Sequence, residues 1–413
     1  MKHLLFKAAD LTAIFLVPLS CGTPSDDPDN GPNELKPVTI STRAAEFVTI
    51  GNTFAMEFID KVNADAEKDY IISPLSMQFL LGMLLNGAQG VTADEISAVL
   101  GYGKGEIAEV NNYCLSMLEQ LPSLDKKTKL AIAGAIFVDK GWSLNNDYVS
   151  TVGHYYDATV SNLDFSKSKE ALDTINGWAS EHTNGLVPKV LDEVSTDILC
   201  YLLNALYFKS EWASKFDKKN TSDEDFKGED GSMTKVKMMK AKATHHYCKG
   251  ETFEALEMGY GNGAFTMTVL LPSKGHTVSD VISSLKKSSW EDITGRMYSD
   301  EFDVWMPKFE TNFGIKLNDI LSAMGMPTAF ISGSADFSAM SVAASHLDFV
   351  RQDAAIKVDE QGTEAAAVST AGIAKNAVGP TEPMEFHADH PFLYLITETS
   401  TGAVLFAGRY SAK

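Results

Sequence analysis

Gly362-Thr363-Glu364-Ala365-Ala366-Ala367-Val368-Ser369-Thr370-Ala371-Gly372 fits no ordinary element. With period two, one face is Thr363, Ala365, Ala367, Ser369 and Ala371, and every member is small. The other face is Glu364, Ala366, Val368, Thr370 and Gly372. No proline follows until Pro380, so every residue before it can donate a ladder hydrogen bond. Small side chains on one face can slide between existing strands without overpacking the core beneath. Glu364 would then stay on the solvent side. An alanine-rich helix competes on propensity, but Gly362, Thr363, Val368, Ser369, Thr370 and Gly372 oppose it. A plain loop is the third reading, and composition leaves all three open. No regular element is legible from Glu360 to Phe386, and a stretch that long inside a compact domain argues for function.

Outward from this stretch, helices dominate the first half. Apolar residues recur at three and four over Ala44 to Val62 and Leu75 to Asn86. Thr92 with Glu95 reads as a capping box opening another helix. Asn111 to Leu121 and Ser166 to Asn184 are also helical, the latter stopped by Asn184-Gly185. Strand patterns cover Lys129 to Val138, Tyr201 to Phe208, Lys235 to Met239, Phe253 to Met258, Phe265 to Leu271 and Phe302 to Phe309. Gly314 to Gly325 is read as helix; Ile356 to Val358, Pro391 to Thr397 and Ala403 to Arg409 as strands. Without a βαβ rhythm, the expected class is α+β with largely antiparallel sheets.

The 413 residues are 44% hydrophobic and 22% charged, which is a globular composition. Thirty-five Lys and Arg against 55 Asp and Glu give −20, a surface that repels nucleic acid. The short run Lys126, Lys127, Lys129 predicts no polyanion site on so acidic a chain. No Gly-x-Ser-x-Gly elbow, phosphate loop or dinucleotide motif is present, so neither an enzyme nor a cofactor is expected.

Lys2, His3 and Lys7 precede an apolar stretch, Leu11 to Leu19, that is too short to span a membrane. Ser20-Cys21 then resembles a bacterial lipoprotein processing site, with Asp10 and Pro18 departing from the pattern. The expectation is a signal over 1–20, lipid on Cys21 and an acidic tether over 21–42. The product is an exported outer-membrane or cell-surface lipoprotein, with plain secretion as the alternative. Four cysteines make no disulfide scaffold. Cys114 and Cys200 read as buried hydrophobes. Cys248 lies near His245 and His246 on a strand, where neighbours face opposite sides, so no metal site is assigned.

Residues 43–413 resemble the serpin family. Asp359-Glu360-Gln361-Gly362-Thr363-Glu364-Ala365-Ala366-Ala367 looks like its reactive-loop hinge, and Phe386-His387-Ala388-Asp389-His390-Pro391-Phe392-Leu393 like its signature after the loop. Ser73-Pro74-Leu75-Ser76, Asn176-Gly177-Trp178, Thr183-Asn184-Gly185 and Asn204-Ala205-Leu206-Tyr207-Phe208-Lys209 match in order. Val269-Leu270-Leu271-Pro272, Pro307-Lys308-Phe309 and Ala335-Asp336-Phe337-Ser338 follow. The resemblance implies three sheets, eight or nine helices and an exposed reactive-centre loop over about 360–385. It implies a monomeric suicide-substrate inhibitor that traps a serine, or also a cysteine, endopeptidase as an acyl-enzyme while the cleaved loop inserts into the large sheet. The alternative is a non-inhibitory member acting as a binding or chaperone protein.

Residue by residue, the resemblance makes Glu360, Gly362, Thr363, Glu364, Ala365, Ala366 and Ala367 the hinge, lying outside the sheet until cleavage. Ser73, Ser76 and Asn204 resemble the shutter, Trp212 the breach tryptophan, and Lys308 a further family position. Gln352 stands where many members carry histidine, so pH sensitivity from that histidine is not expected. Family spacing from Glu360 puts the reactive residue at Asn376, with Lys375 beside it. The candidate bonds are Lys375-Asn376 and Asn376-Ala377. Lysine suits a trypsin-like pocket; Ala374, Ala377 and Val378 suit elastase-like enzymes, and papain-like proteases are the third class.

Overall fold

Ser41 starts the first helix by accepting the Ala44 amide on its side chain at 3.1 Å. The chain then runs α1 (Thr42–Asp65), β1 (Tyr70–Ile72), α2 (Pro74–Gly87), α3 (Gly90–Leu100), α4 (Ile107–Gln120) and β2 (Lys129–Asp139). It continues through α5 (Asn146–Tyr156), β3 (Thr159–Leu163), α6 (Ser168–His182) and β4 (Cys200–Glu211). Next come β5 (Ser222–Lys227), β6 (Met233–Lys249), β7 (Phe253–Tyr260), β8 (Phe265–Pro272), α7 (Val278–Leu285) and α8 (Trp290–Thr294). The last elements are β9 (Tyr298–Pro307), β10 (Phe309–Lys316), α9 (Asn318–Met324), β11 (Val350–Asp359), β12 (Gly362–Thr363), β13 (Met384–His387), β14 (Phe392–Glu398) and β15 (Val404–Tyr410). This computed structural model describes residues 33–342, 346–363 and 383–413. Among them, no helix is long and apolar enough to cross a membrane.

Two hydrogen-bonded sheets organise the α+β fold. The six-stranded sheet has the order β10-β11-β12-β4-β2-β3; the nine-stranded one has β1-β15-β14-β8-β7-β6-β9-β13, with β5 added on β6. The seventeen-residue β6 belongs to both halves of the larger sheet. Its Met238–Tyr247 stretch pairs with β9, and its His246–Lys249 end pairs with β7. The third sheet expected from the resemblance is therefore joined to the second through β6. α2 lies in the main core with Leu75, Met77, Leu80, Leu81 and Leu84. A smaller core on the outer face of the six-stranded sheet packs Ile175 and Trp178 of α6 on Phe137, Tyr201, Leu203 and Ala355.

Several expectations change. Thr92 and Glu95 form no capping box, because α3 begins earlier, at Gly90 after Gln89. Thr92 Oγ1 instead accepts the Asp336 amide at 3.0 Å, and Glu95 accepts the Thr328 amide at 2.9 Å. Both side chains tie α3 to the segment after α9. Gly314 to Lys316 is strand, the end of β10, and α9 starts only at Asn318. Gly314 and Ile315 pair with Asp353 and Gln352, so sheet pairing overrides the helical pattern. Met384–His387 and Gly362–Thr363 are also strands, inside the stretch expected to lack regular structure. The last part of the expected tether is docked on the domain. Asn33 Nδ2 donates to Asp125 Oδ1 at 2.7 Å and the Thr39 amide to Gln120 Oε1 at 2.8 Å. His245 and His246 do face opposite sides. Burial pushes the His245 imidazole down to about 4, while His246 Nδ1 lies 3.0 Å from Glu257 Oε1.

Candidate functional site

β11 and β4 run parallel as neighbours in the six-stranded sheet. At one end they pair directly, Val350 with Leu202 through Asp353 with Ala205. At the other end β12 lies between them, antiparallel to both. Thr363 pairs with Val358 and Ser210, and Gly362 with Asp359 and Glu211. Among the described residues no strand pairs with the facing edges between these ends, residues 354–357 of β11 and 206–209 of β4. The two strands thus form a slot, closed at one end and entered at the other by the hinge residues Gly362 and Thr363. This corrects the expectation that Gly362 and Thr363 lie outside the sheet.

The chemistry of the entrance explains the seating. Gly362 has φ +151°, and a Cβ there would strike the Ser210 carbonyl oxygen and lie 2.7 Å from Glu211 Cα. Only glycine meets both demands. Thr363 is 0% exposed, and its Oγ1 lies 2.7 Å from the Tyr260 hydroxyl. Tyr260 stacks on Trp212 at 4.4 Å, with planes 11° apart. Trp212 Nε1 donates to the Asp359 carbonyl at 2.9 Å, and its amide donates to the Gln361 carbonyl at 2.8 Å. The Phe216 amide reaches the Glu360 carbonyl at 3.0 Å. Beneath Thr363's partner strand, Ser210 Oγ is 2.6 Å from Thr128 Oγ1.

Glu360, buried at the turn between β11 and β12, accepts from Thr221 Oγ1 at 2.9 Å and from Lys308 Nζ at 3.0 Å. Burial disfavours its charge, but its own amide, Lys308 and Thr221 outweigh that and hold the carboxyl below its ordinary value. A depressed folded pKa contributes stability that is complete above the ordinary value of about 4.3 and lost as pH falls through the folded one. The hinge seat is therefore expected to weaken in acid, below about pH 4. Glu360→Gln should flatten that part of the pH dependence in melting curves of the intact protein. Equal slopes for the variant and the parent between pH 5 and pH 3 would overturn this account.

The closed end carries a buried polar cluster. Gln352 and Asn204 are register partners on β11 and β4. Gln352 Oε1 accepts the Ser73 amide at 2.9 Å; its Nε2 donates to the Ser73 carbonyl at 3.0 Å and to Asn204 Oδ1 at 3.3 Å. Ser76 Oγ donates to the same Asn204 oxygen, and Ser73 Oγ donates to the Leu405 carbonyl at 2.6 Å. Ser73 also caps α2, with Pro74 in the first turn. The cluster thus ties the closed end of the slot to α2 and β15.

The structure brings Ser73, Ser76, Asn204 and Gln352 together at one end, and Trp212, Glu360, Gly362, Thr363 and Lys308 at the other. Glu364, Ala365, Ala366 and Ala367 lie outside the described residues, as do Lys375, Asn376, Ala377 and Cys21. Sequence reasoning missed Tyr260, Thr221 and Ser210. Tyr260 meets Thr363 across 103 positions, and no local pattern marks such a pair. Cys114 and Cys248 are buried and Cys200 is half-buried. After the loop, β13 runs parallel to β9, and His390 bridges Asp389 Oδ1 at 2.7 Å and the Pro272 carbonyl at 2.9 Å.

A family model described as Serpin (serine protease inhibitor) matches residues 49–412. Leukocyte elastase inhibitor of Xenopus laevis is 33% identical over 371 residues, covering 87% of this chain and 97% of that protein. Serpin B6 of Macaca fascicularis is 32% identical, with the same coverage of 87% and 97%. Among solved structures, the thermophilic serpin tengpin in its native state superposes with a TM-score of 0.82 at 26% identity, covering 92% of this chain and 97% of that one. With the fold, the slot and these matches in agreement, the chain belongs to the serpin family.

Proposed function

We propose that the protein inhibits endopeptidases as a suicide substrate. A protease attacks the loop after Lys375, the acyl-enzyme forms, and the cleaved segment enters the slot between β11 and β4 before water releases it. The supporting observation is the slot itself, with Gly362 and Thr363 seated at its entrance and facing edges beyond them that pair with nothing described. About ten inserted residues would add on the order of ten ladder hydrogen bonds, each worth roughly 0.5–1.5 kcal/mol net. That gain makes the intact form metastable and held by kinetics. Names of relatives such as leukocyte elastase inhibitor agree with this class.

The test is a denaturing gel after mixing with trypsin. A covalent band of summed mass is expected; clean cleavage with no such band would favour a binding or chaperone role instead. Lys375 is the only Lys or Arg between Lys357 and Arg409. Lys375→Ala should therefore remove the trypsin band while an elastase-like protease is still trapped after Ala374, Ala377 or Val378. An unchanged trypsin band would move the reactive bond elsewhere.

The proposal includes lipid on Cys21 and a position outside the cytoplasm, at an outer membrane or cell surface. Its support is Ser20-Cys21 after a short apolar stretch. Cys21→Ala should shift the protein from the membrane fraction to the soluble one. Retention in the membrane fraction would overturn the anchor.

A further inference from the structure

Lys129 and Lys209 are directly opposite each other on β2 and β4. Such partners hold their Cβ atoms about 4.5–5.5 Å apart on one face of the sheet, and like charges there are unfavourable. Among the described residues neither lysine has an ion-pair partner. Lys357, across the slot on β11, reaches Glu310 only at 3.7 Å. Alternation puts all three lysines on the same outer face. Lys209 follows Leu203 and Ala205, and Lys357 follows Ala355, members of the core against α6. β4 is an interior strand, so the charges are not there to blunt a sheet edge.

We propose that this lysine row is a receiver for one carboxylate carried in on a strand, that of Glu364. The register supplies the address. Thr363 faces Val358 on β11 and Ser210 on β4. Continued by one residue, the same antiparallel register would place position 364 between Lys357 and Lys209. Glu364 is the only acidic residue between Glu360 and Glu382, so the charge that arrives is single and of the right sign. Positions 365 and 367 would lie over Ile356, Phe208 and Leu206 of the main core, and both are alanine. A slip of one residue would turn Glu364 inward onto Phe208 and Ile356, which the burial of an unpaired charge forbids. The lysines therefore fix the register at the second step of entry, and Glu364 relieves their mutual repulsion. The inference rests on the insertion reading proposed above.

The test uses the full chain with four changes: Glu364→Gln, Glu364→Lys, Lys209→Glu, and Lys209→Glu with Glu364→Lys. Two quantities are read: the melting temperature before and after loop cleavage, and the inhibitor consumed per trypsin trapped. Glu364→Gln should leave the intact form unchanged and lower the melting temperature of the cleaved form. It should raise inhibitor consumption about two- to tenfold, the equivalent of losing two cross-strand charge pairs. Glu364→Lys should be worse, and adding Lys209→Glu should recover part of the loss. Lys209→Glu alone should stabilise the intact form, by pairing with Lys129, and weaken the cleaved one. A merely structural lysine would not give opposite signs. All differences should shrink at 1 M salt, where the Debye length falls to about 3 Å. Should Lys209→Glu not fold, the two Glu364 variants still decide. If the cut parent gains heat resistance but the Glu364 variants match it at low salt, the lysine receiver is wrong and insertion stands. If the cut parent gains none, insertion itself is wrong and the receiver falls with it.

Discussion

Thr363→Arg is expected to leave the loop cleavable and to abolish the covalent complex. Thr363 is fully buried, between Val358 and Ser210, with its hydroxyl on Tyr260. An arginine there would force a large cation into a buried site beside the Trp212–Tyr260 stack, at a cost of several kcal/mol. The seat would empty, and the first step of insertion would carry that cost in every molecule. The acyl-enzyme hydrolyses on its own clock, so delay alone turns an inhibitor into a substrate. Because Thr363 is already seated, the intact protein should also lose stability, by about 1–3 kcal/mol. From the sequence alone, the substitution would have been expected to spare the intact form, since the whole hinge was read as lying outside the sheet. The measurements are a denaturing gel with trypsin, the mass of the released peptide, and melting curves before and after cleavage. The parent should melt far higher once cut; the variant should be cut at the same bond, without a covalent band and without that gain. A covalent band of parental strength from Thr363→Arg would sink the insertion account.

Local patterns carried the fold wherever one element's own periodicity decides it. The strand pattern of Phe265 to Leu271 and the three-four spacing of Ala44 to Val62 became β8 and α1. Patterns failed where a distant partner decides. Thr92 and Glu95 look like a cap, yet Asp336 and Thr328 claim their side chains. Gly314 and Ile315 look helical beside α9, yet the β11 edge takes them. The candidate site divides in the same way. That Gly362 and Thr363 belong to a stretch able to form a strand could be read, as one of three open readings, because it depends on the size of their own side chains. That Gly362 must avoid the Ser210 carbonyl could not be read, because the obstacle is another strand's backbone. The lysine row is invisible in sequence for the same reason. Lys129, Lys209 and Lys357 are scattered along the chain and become neighbours only through the register of β2, β4 and β11.

Gln352→Leu tests the other end of the slot. Gln352 fills its site with three hydrogen bonds, two to the Ser73 backbone and one to Asn204. Leucine keeps the volume but leaves the buried Ser73 amide without its acceptor, while the Ser73 carbonyl still receives the Met77 amide at 3.1 Å. The orphaned donor costs about 1–3 kcal/mol. The substitution also removes the one side-chain bond that runs directly from β11 to β4 within the polar cluster. Once a strand is inserted, β11 and β4 stand two strand spacings apart, about 9–10 Å, and that bond cannot exist in either protein. Its loss therefore penalises only the closed sheet and lowers the barrier to opening. One such bond is worth roughly 0.5–1.5 kcal/mol net, so the uncleaved variant should open about two- to tenfold faster than the parent. Incubated intact at a fixed temperature, it should lose trypsin-trapping capacity at that faster rate and accumulate an uncut, heat-resistant or self-associated form. Asn204 keeps its bond from Ser76, so the fold around α2 should persist and the fresh variant should still trap trypsin. Equal rates of loss for the variant and the parent would mean that this polar cluster does not hold the sheet shut, and that the barrier lies in the core beneath it.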